Sequence, residues 1–199
     1  MTPDAQESAR LRPLRDFVSS MAKLIEEQPE EDALLSAALP LLSALVDNDS
    51  WLPDAYAQPA VDGYQQYLLH CDSAERFSVV AFVWGPGQTT PIHNHGVWGM
   101  VGMLRGAEIV QDYVFGNSGF KISGPPRCLV PGAVEPISST AGDIHKVSNA
   151  FSDRTSISIH VYGANIGRLT RFAVDSEGRK KPFISGYANT MLPNIWKDI

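Results

Sequence analysis

The chain has 199 residues, a formal net charge of −6 and an apolar fraction of 44%. This length and composition suit one domain with a sizeable core of its own. The acidic balance argues against a nucleic-acid surface, and no apolar run is long enough to span a membrane.

The first residues, Met-Thr-Pro-Asp-Ala-Gln-Glu-Ser, lack the basic and apolar regions of a signal peptide. The two cysteines, Cys71 and Cys128, are too few for a disulfide framework. We therefore expect free thiols in a cytoplasmic protein.

The first 50 residues are predicted to form a helical segment that packs on a larger body. Apolar residues recur at steps of three and four over residues 11–25 and again over residues 34–46, which draws an apolar stripe on each helix. Gln28-Pro29-Glu30 separates the two helices. Pro40 is expected to kink the second helix or to start a new turn.

From Trp51 onward, Pro, Gly, aromatic and β-branched residues dominate. Short alternating runs predict strands at residues 64–69, 77–84, 98–104, 108–115, 128–130, 144–149, 156–162 and 169–174. Turn signals separate them, among them Gly-Pro-Gly at 85–87, the stretch 116–119 and Gly-Pro-Pro at 124–126. This spacing predicts a sandwich or barrel at residues 51–199. Together with the helical segment 1–50 it should form one structural domain.

Two histidines stand two residues apart in the stretch Gly87-Gln-Thr-Thr-Pro-Ile-His93-Asn-His95. On a strand, alternate side chains share a face, so His93 and His95 are predicted to project the same way. Neutral imidazole nitrogens are ligands of transition metals. The pair therefore predicts half of a metal site.

A longer pattern surrounds this pair. Its first half is Gly87, five residues, His93-x-His95 and then Gly106; its second half is Gly142, two residues, His145, three residues and Asn149. Together the halves resemble the two characteristic motifs of the cupin superfamily. The resemblance implies a mainly β fold, a jelly-roll-like double-stranded β-barrel, in which His93, His95 and His145 converge on one divalent metal.

The usual cupin carboxylate is missing from this chain. A cupin carries a Glu ligand four or five residues after the second histidine, where this sequence has Gly99 and Met100. The predicted site is therefore three neutral histidines, open to an anionic ligand. Such ligation suits Fe(II), although Zn, Ni and Cu also accept imidazole. The alternative, a chance pair of histidines, would place three of the five histidines on the motif by coincidence.

A polar stripe runs along the strand predicted at residues 156–162. Ser158, His160 and Tyr162 alternate with aliphatic residues and so share one face. Ser158 could orient the imidazole of His160, which could in turn orient the phenol of Tyr162. Alternation alone leaves open whether this face meets solvent or a cavity.

Three histidines without the Glu, followed by Ser-x-His-x-Tyr, resemble the thiol dioxygenase family, whose best-known member is cysteine dioxygenase. The resemblance covers residues 64–187. It implies one non-haem Fe(II) per chain, no organic cofactor, and a reaction in which both atoms of O2 end on the sulfur of a thiol as a sulfinate. The catalytic Ser-His-Tyr triad of the family falls on Ser158, His160 and Tyr162.

Two departures indicate a branch of that family. Mammalian-type enzymes hold the substrate carboxylate with an Arg where this chain has Gln66, and they cross-link the triad Tyr to a Cys where it has Gly99. A Gln in that place resembles the bacterial branch, the 3-mercaptopropionate dioxygenases. In that branch a downstream Arg is implicated in the site; Arg171 is the closest match and Arg168 the alternative. The resemblance thus implies Gln66, Arg171 and Tyr162 as substrate-binding residues.

Three alternatives stay open at this point. The chain could be a cysteine dioxygenase, another metal-dependent cupin enzyme, or a ligand-binding cupin. A ligand-binding cupin usually accompanies a partner domain such as a DNA-binding helix-turn-helix, but residues 5–46 lack a basic recognition helix. The expected partners are a small thiol and O2, without nucleic acid or membrane, in a monomer or weak homo-oligomer.

Overall fold

The computed structural model describes residues 3–27, 30–116, 119–139 and 143–196. Two helices come first, α1 (Pro3–Glu27) and α2 (Glu31–Val46). The predicted break between them is confirmed. Pro40 lies inside α2 without ending it.

The rest of the described chain is mainly β. After a single 3-10 turn at Asp54–Tyr56, the strands are β1 (Gln65–Cys71), β2 (Ser78–Trp84), β3 (Gly99–Arg105), β4 (Glu108–Gly116), β5 (Gly119–Leu129), β6 (Val134–Ile137), β7 (His145–Asn149), β8 (Ser156–Tyr162), β9 (Arg171–Val174) and β10 (Lys180–Phe183). The pairings between these strands are antiparallel.

These strands make two sheets that face each other. The first has the order β1-β2-β8-β3-β6, and the second contains β5-β4-β7 and the pair β10-β9. His93 joins the two parts of the second sheet, because it bridges to His145 of β7 and to Ala173 of β9. The segment that carries the first two histidines is therefore itself a member of the second sheet.

Both faces of the first sheet are buried. On β2, Val79, Ala81 and Val83 pack in a cluster with α1 and α2, which we call the outer layer. Their neighbours on the opposite face, such as Val80 and Phe82, pack against the second sheet in what we call the inner layer. This double burial explains why β2 is a near-continuous apolar run.

Helix α2 lies directly on β3. A Cβ built at Gly102 would come within 2.8 Å of the Val46 side chain and 3.0 Å of Leu42, so the absence of a side chain at position 102 lets the helix approach. The mainly β fold with an N-terminal helical segment is thus confirmed. The division of the domain at residue 50 stays a prediction.

The prediction for β5 was wrong. The sequence predicted a strand at 128–130 and a turn at Gly124-Pro-Pro, but β5 runs through this turn from Gly119 to Leu129. Prolines are tolerated there because β5 is an edge strand. Gly124 has a φ of +72°, and the register between β4 and β5 shifts near Asp112, which marks a bulge.

Two short strands, β6 and β10, were not predicted. Each contains a proline, Pro136 or Pro182, which weakens the strand signal. The turn predicted at 116–119 includes residues 117 and 118, which lie outside the described residues. Within the described part of the chain, no helix combines the length and the apolarity that crossing a membrane requires.

Candidate metal centre

The structure brings His93, His95 and His145 together. One ligating nitrogen from each lies within 4.8 Å of the others, close enough for a shared metal ion. The ring centroids are 4.8–5.1 Å apart. His93 and His95 are buried, at 9% and 1% exposed, whereas His145 is half-buried.

Backbone hydrogen bonds fix this cluster. His93 and His145 exchange two bonds, each with an N···O distance of 3.0 Å. The Nδ1 atom of His93 is 3.1 Å from the carbonyl oxygen of Pro91, which leaves Nε2 of His93 free for a metal. The segment around the first two histidines forms isolated bridges, not the regular strand that the sequence predicted.

Asp143 secures the second ligand. Its Oδ2 atom accepts the backbone N–H groups of His95 at 2.7 Å and of Gly96 at 2.6 Å. The same oxygen lies 3.9 Å from the Nδ1 atom of His95. The carboxylate thus holds the backbone turn that aims His95 inward. Sequence reasoning missed Asp143. It directly follows the motif glycine Gly142, but it does not stand at a position where the motif has a metal ligand.

The three imidazoles are neutral at physiological pH. Burial lowers the pKa of His93 to about 4. Burial, followed by the neighbouring imidazoles, lowers the pKa of His95 and of His145 well below the usual range. The positive charge of Arg171 contributes in the same direction at His93 and His95. Neutral, buried imidazoles are the form that binds a transition metal.

The donor set fits a metal in a further respect. The Nδ1 atom of His95 is buried and has no hydrogen-bond partner among the described residues. A buried polar atom without a partner is costly unless a ligand satisfies its group. Three neutral nitrogen donors suit first-row transition metals, including Fe(II).

The structure explains why neither Gly99 nor Met100, the two positions expected for the cupin Glu, provides a carboxylate ligand. A Cβ at Gly99 would lie 2.9 Å from the Val161 carbonyl oxygen and 3.0 Å from the Tyr162 ring. Gly99 and Tyr162 are also register partners between β3 and β8. The side chain of Met100 belongs to the outer layer and points away from the histidines. Neither position could supply a ligand.

The polar stripe of β8 faces the barrel interior. Ser158 Oγ is 2.9 Å from His160 Nε2, and His160 Nδ1 is 2.9 Å from the Tyr162 hydroxyl. All three side chains are buried. The Tyr162 ring stacks on that of His95, with centroids 5.3 Å apart. This chain of hydrogen bonds therefore ends beside a candidate metal ligand.

Burial also sets the protonation of this stripe. It lowers the pKa of His160 to about 3 and raises the pKa of Tyr162 above its usual value. His160 is therefore neutral, with one N–H, and Tyr162 keeps its proton. A neutral phenol can donate a hydrogen bond toward the metal centre.

Arg171 lies near the histidines and is 6% exposed. Its Nη2 donates to Ser185 Oγ at 2.7 Å, and its guanidinium lies over the Phe183 ring at 4.6 Å. Its Nε is buried without a hydrogen-bond partner in the described residues. Arg168, the alternative, is at the surface and pairs with Glu75 at 3.1 Å. The structure thus brings Arg171, and not Arg168, to the site.

Gln66 occupies β1 opposite Phe82, on the inner face of the sheet. Its Oε1 is buried and has no partner among the described residues. A hydrogen bond from Gln66 and the charge of Arg171 both act on the hydroxyl of Tyr64, whose pKa burial raises. Tyr64 was missed by sequence reasoning, and it connects the two predicted substrate-binding residues. The roles of Gln66 and Arg171 stay predictions.

The other motif positions have structural roles. Gly87 and Gly106 have φ values of +68° and +78°, which only glycine adopts without strain. The Asn149 amide donates to the carbonyl oxygens of Trp84, Gly85 and Arg154 at 2.9–3.1 Å. Asn149 thus ties β7 to the ends of two loops. Gly142 lies outside the described residues.

A cavity of about 270 Å³ opens beside the histidines. Its lining includes His145, His160 and the carboxyl of Glu108, which is 1% exposed. Sequence reasoning missed Glu108. The sequence offered one indication of its burial. Glu108 and Val110 are two residues apart and so share a face of β4, and Val110 is in the inner layer.

No family model matches the chain. Among solved structures, an oxalate oxidase with the substrate analogue glycolate is 20% identical over 55% of this chain and 56% of its own, with a TM-score of 0.44. A cupin superfamily protein from Desulfitobacterium hafniense is 12% identical over 62% and 88%, with a TM-score of 0.42. An acetylacetone dioxygenase from Acinetobacter johnsonii is 18% identical over 67% and 84%, with a TM-score of 0.40.

TM-scores of 0.40–0.44 support no conclusion about this chain. The description of its fold and of its candidate site therefore rests on its own structure. Two facing antiparallel sheets, preceded by two helices, confirm the predicted mainly β fold with an N-terminal helical segment. The three-histidine group between those sheets is a candidate metal centre.

Proposed function

We propose that this protein is a non-haem Fe(II) thiol dioxygenase, and that 3-mercaptopropionate is its preferred substrate. The observation that carries the proposal is the position of Tyr162. Its ring stacks on His95, its hydroxyl is held by His160, and the buried cation of Arg171 acts on both His95 and Tyr162. A donor and a cation beside carboxylate-free ligands suit a substrate with a thiolate at one end and a carboxylate at the other.

In this proposal the metal is bound only by the three histidines. Fe(II) held by His93, His95 and His145 would supply Lewis acidity, one-electron chemistry and open positions for an anionic sulfur ligand. The overall reaction is balanced without another reductant, since the thiolate R–S⁻ and O2 give R–SO2⁻, with both oxygen atoms on sulfur.

The substrate carboxylate is assigned to Arg171 and Gln66. Arg171 offers a charged donor with an unused Nε, and a guanidinium can bind a carboxylate through two parallel hydrogen bonds. Gln66 adds a neutral amide where an Arg would add a second charge. Tyr162 donates to the carboxylate or to oxygen, and His160 keeps its hydroxyl in place. Fixing both ends of the substrate replaces a random encounter with one geometry.

This arrangement gives no reason to require an α-amino group on the substrate. We therefore rank 3-mercaptopropionate above cysteine, and both above cysteamine, which has no carboxylate. The same proposal includes a small thiol and O2 as the partners of a cytoplasmic protein, without nucleic acid or membrane, in a monomer or weak homo-oligomer.

One assay tests the function. Protein loaded with Fe(II) without oxygen is mixed with each of the three thiols, while O2 uptake and sulfinate formation are followed. We expect one sulfinate per O2 and the highest kcat/KM for 3-mercaptopropionate. Zn(II)-loaded protein is the control and should consume no O2. Absence of uptake with every thiol would remove the dioxygenase assignment; a preference for cysteine would make the chain a cysteine dioxygenase.

Two variants assign the roles. Tyr162→Phe should bind Fe(II) like the wild type but turn over about 10- to 100-fold more slowly, because it loses the aimed donor. Gln66→Arg should shift relative kcat/KM toward cysteine. Unchanged turnover would exclude Tyr162 from the reaction, and unchanged relative kcat/KM would exclude Gln66 as the selector.

A further inference from the structure

Glu108 is a buried acid that the proposed reaction does not use. It begins β4 in the second sheet and points across the barrel at the first sheet, where the Ser158 hydroxyl and the Trp84 indole approach it. Its Oε1 has no hydrogen-bond partner in the described residues. Burial raises its pKa to about 7, against smaller opposing effects of Ser158 and Trp84.

Among the described residues, no cationic side chain forms an ion pair with Glu108. The cavity that it lines is also lined by Arg127 of β5, Glu135 of β6, Asp112 of β4, Asp143, His145 of β7 and His160 of β8. Arg127 is already bound to two other carboxylates, Asp112 and Glu135. His145 and His160 are neutral because burial lowers their pKa. Glu108 therefore interacts mainly with the hydroxyl of Ser158.

Ser158 is the member of the triad that lies between Glu108 and His160. Its Oγ lies 2.9 Å from His160 Nε2 and 3.4 Å from Trp84 Nε1, which donates to it. The hydroxyl has one proton to donate, and the neutral imidazole of His160 has one N–H. The proton of Ser158 therefore goes either to His160 or to Glu108, but not to both.

These two choices orient Tyr162 in opposite ways. If Ser158 donates to Nε2 of His160, the imidazole proton is on Nδ1 and donates to the Tyr162 oxygen, which leaves the phenolic proton free to point at the metal centre. If Ser158 donates to Glu108, the imidazole proton is on Nε2, and Nδ1 accepts the phenolic proton. In the second arrangement Tyr162 has no proton for the substrate.

We propose that the proton on Glu108 selects between these arrangements, so that Glu108 is a positioning residue for the Tyr162 hydroxyl. A protonated Glu108 donates to Ser158, so each hydrogen bond through Ser158, His160 and Tyr162 is donated in the direction of the metal centre. An ionised Glu108 accepts from Ser158, and each of these hydrogen bonds is then donated in the opposite direction. No covalent bond is made or broken in this step. Its consequence for turnover rests on the proposed thiol dioxygenase function, whereas the tautomer itself does not.

The tautomer of His160 is measured directly by ¹⁵N NMR of the imidazole nitrogens. The full chain is loaded with diamagnetic Zn(II), and His160 is assigned by comparison with a His160→Gln variant. We expect the proton of the wild-type ring to move from Nδ1 to Nε2 as pH rises from 5.5 to 8.5, with a midpoint near the Glu108 value of about 7.

Two variants make this measurement decisive. The amide of Glu108→Gln does not ionise, so the proton of His160 should not move between its nitrogens over this pH range, and it stays on Nδ1 where the amide donates to Ser158. Glu135→Gln removes a carboxylate from the same cavity and should titrate like the wild type. A wild-type tautomer that does not change with pH, or a Glu108→Gln protein that titrates like the wild type, would overturn the proposal.

Turnover supplies the second readout. With 3-mercaptopropionate, the wild type should lose kcat above about pH 7, while KM changes little. Glu108→Gln should keep kcat within about twofold at pH 6 and lose the alkaline decline; an unchanged decline would also overturn the proposal. If no thiol is turned over at all, the proposed function fails, and the NMR measurement still decides the role of Glu108.

Discussion

Strand β8 buries opposite chemistry on its two faces. Ile157, Ile159 and Val161 enter the outer layer beneath the helices, whereas Ser158, His160 and Tyr162 face the inner layer. The six side chains are each at most 4% exposed. Equal burial therefore serves two different purposes on one strand.

The two layers differ in how their buried side chains are satisfied. The outer layer is apolar, with aliphatic and aromatic side chains, and is stabilised by close packing. The inner layer contains the buried side-chain atoms that lack a partner in the described residues: Gln66 Oε1, His95 Nδ1, Glu108 Oε1 and Arg171 Nε. Such atoms are costly in a finished core. The outer layer is therefore a finished apolar core, whereas the inner layer combines apolar packing with buried polar atoms that a ligand could satisfy.

The largest expected effect is loss of the metal from the inner layer. His93→Ala removes one of three neutral nitrogen donors, so we expect metal content to fall from one per chain to near zero and O2 uptake to fall to background. Elemental analysis after Fe(II) loading measures the first. The variant should stay folded by circular dichroism because the outer layer is untouched. An iron-replete, active His93→Ala protein would show that His93 is not a ligand.

The outer layer should respond in the opposite sense. Leu42 of α2 is 0% exposed and packs on β3, so Leu42→Ala should lower the free energy of unfolding by about 2–5 kcal/mol through the cavity it creates. Metal content per folded chain should not change. Leu192→Ala is the matched control, since Leu192 is 48% exposed, and it should cost less than about 0.5 kcal/mol. A loss of metal in folded Leu42→Ala would show that the layers are coupled.

Glu108 predicts a pH-dependent difference in stability. Its pKa is raised from the ordinary 4.5 to about 7, so the folded state holds this proton more tightly than the unfolded state. The acid therefore does not destabilise the fold below about pH 4.5, but it does so increasingly as pH rises toward 7. Above that, ionised Glu108 costs about 3 kcal/mol.

Urea unfolding of the metal-free wild type and Glu108→Gln tests this difference. Glu108→Gln should gain stability over the wild type between pH 5 and pH 8, by up to the same amount. Comparing the two proteins cancels the separate effect of the four buried histidines, whose lowered pKa values make the fold less stable as pH falls below 6.5. A difference that stays constant with pH would show that Glu108 does not ionise in this range.

The outer layer and the triad could be predicted from sequence because both follow from periodicity. Alternation placed Ser158, His160 and Tyr162 on one face, and the observed contacts are between neighbours two residues apart. The motif spacing also brought His93 and His95 together, although their segment forms isolated bridges and not the regular strand on which the alternation argument relied. Such features require no knowledge of the other sheet.

Glu108, Tyr64 and Asp143 could not be found in this way. Each acquires its role from a partner distant in the chain: Ser158 for Glu108, Arg171 for Tyr64 and His95 for Asp143. A glutamate at the start of a strand usually faces water, and only the approach of the opposite sheet buries this one. The edge position of β5, which let it run through two prolines, is also set by tertiary pairing.

The smallest expected effect is that of replacing Arg168, the alternative to Arg171 that the sequence left open. Arg168 is exposed and pairs with Glu75 at the surface, and such pairs contribute little. Arg168→Ala should change the free energy of unfolding by less than about 0.5 kcal/mol and leave KM for 3-mercaptopropionate unchanged. Arg171→Ala is the contrast, and it should raise KM about 10-fold or more because the carboxylate loses its only charged donor in the proposed site. Equal KM values for the two variants would show that the buried guanidinium is structural, and the inner layer would then need another cation to bind a carboxylate.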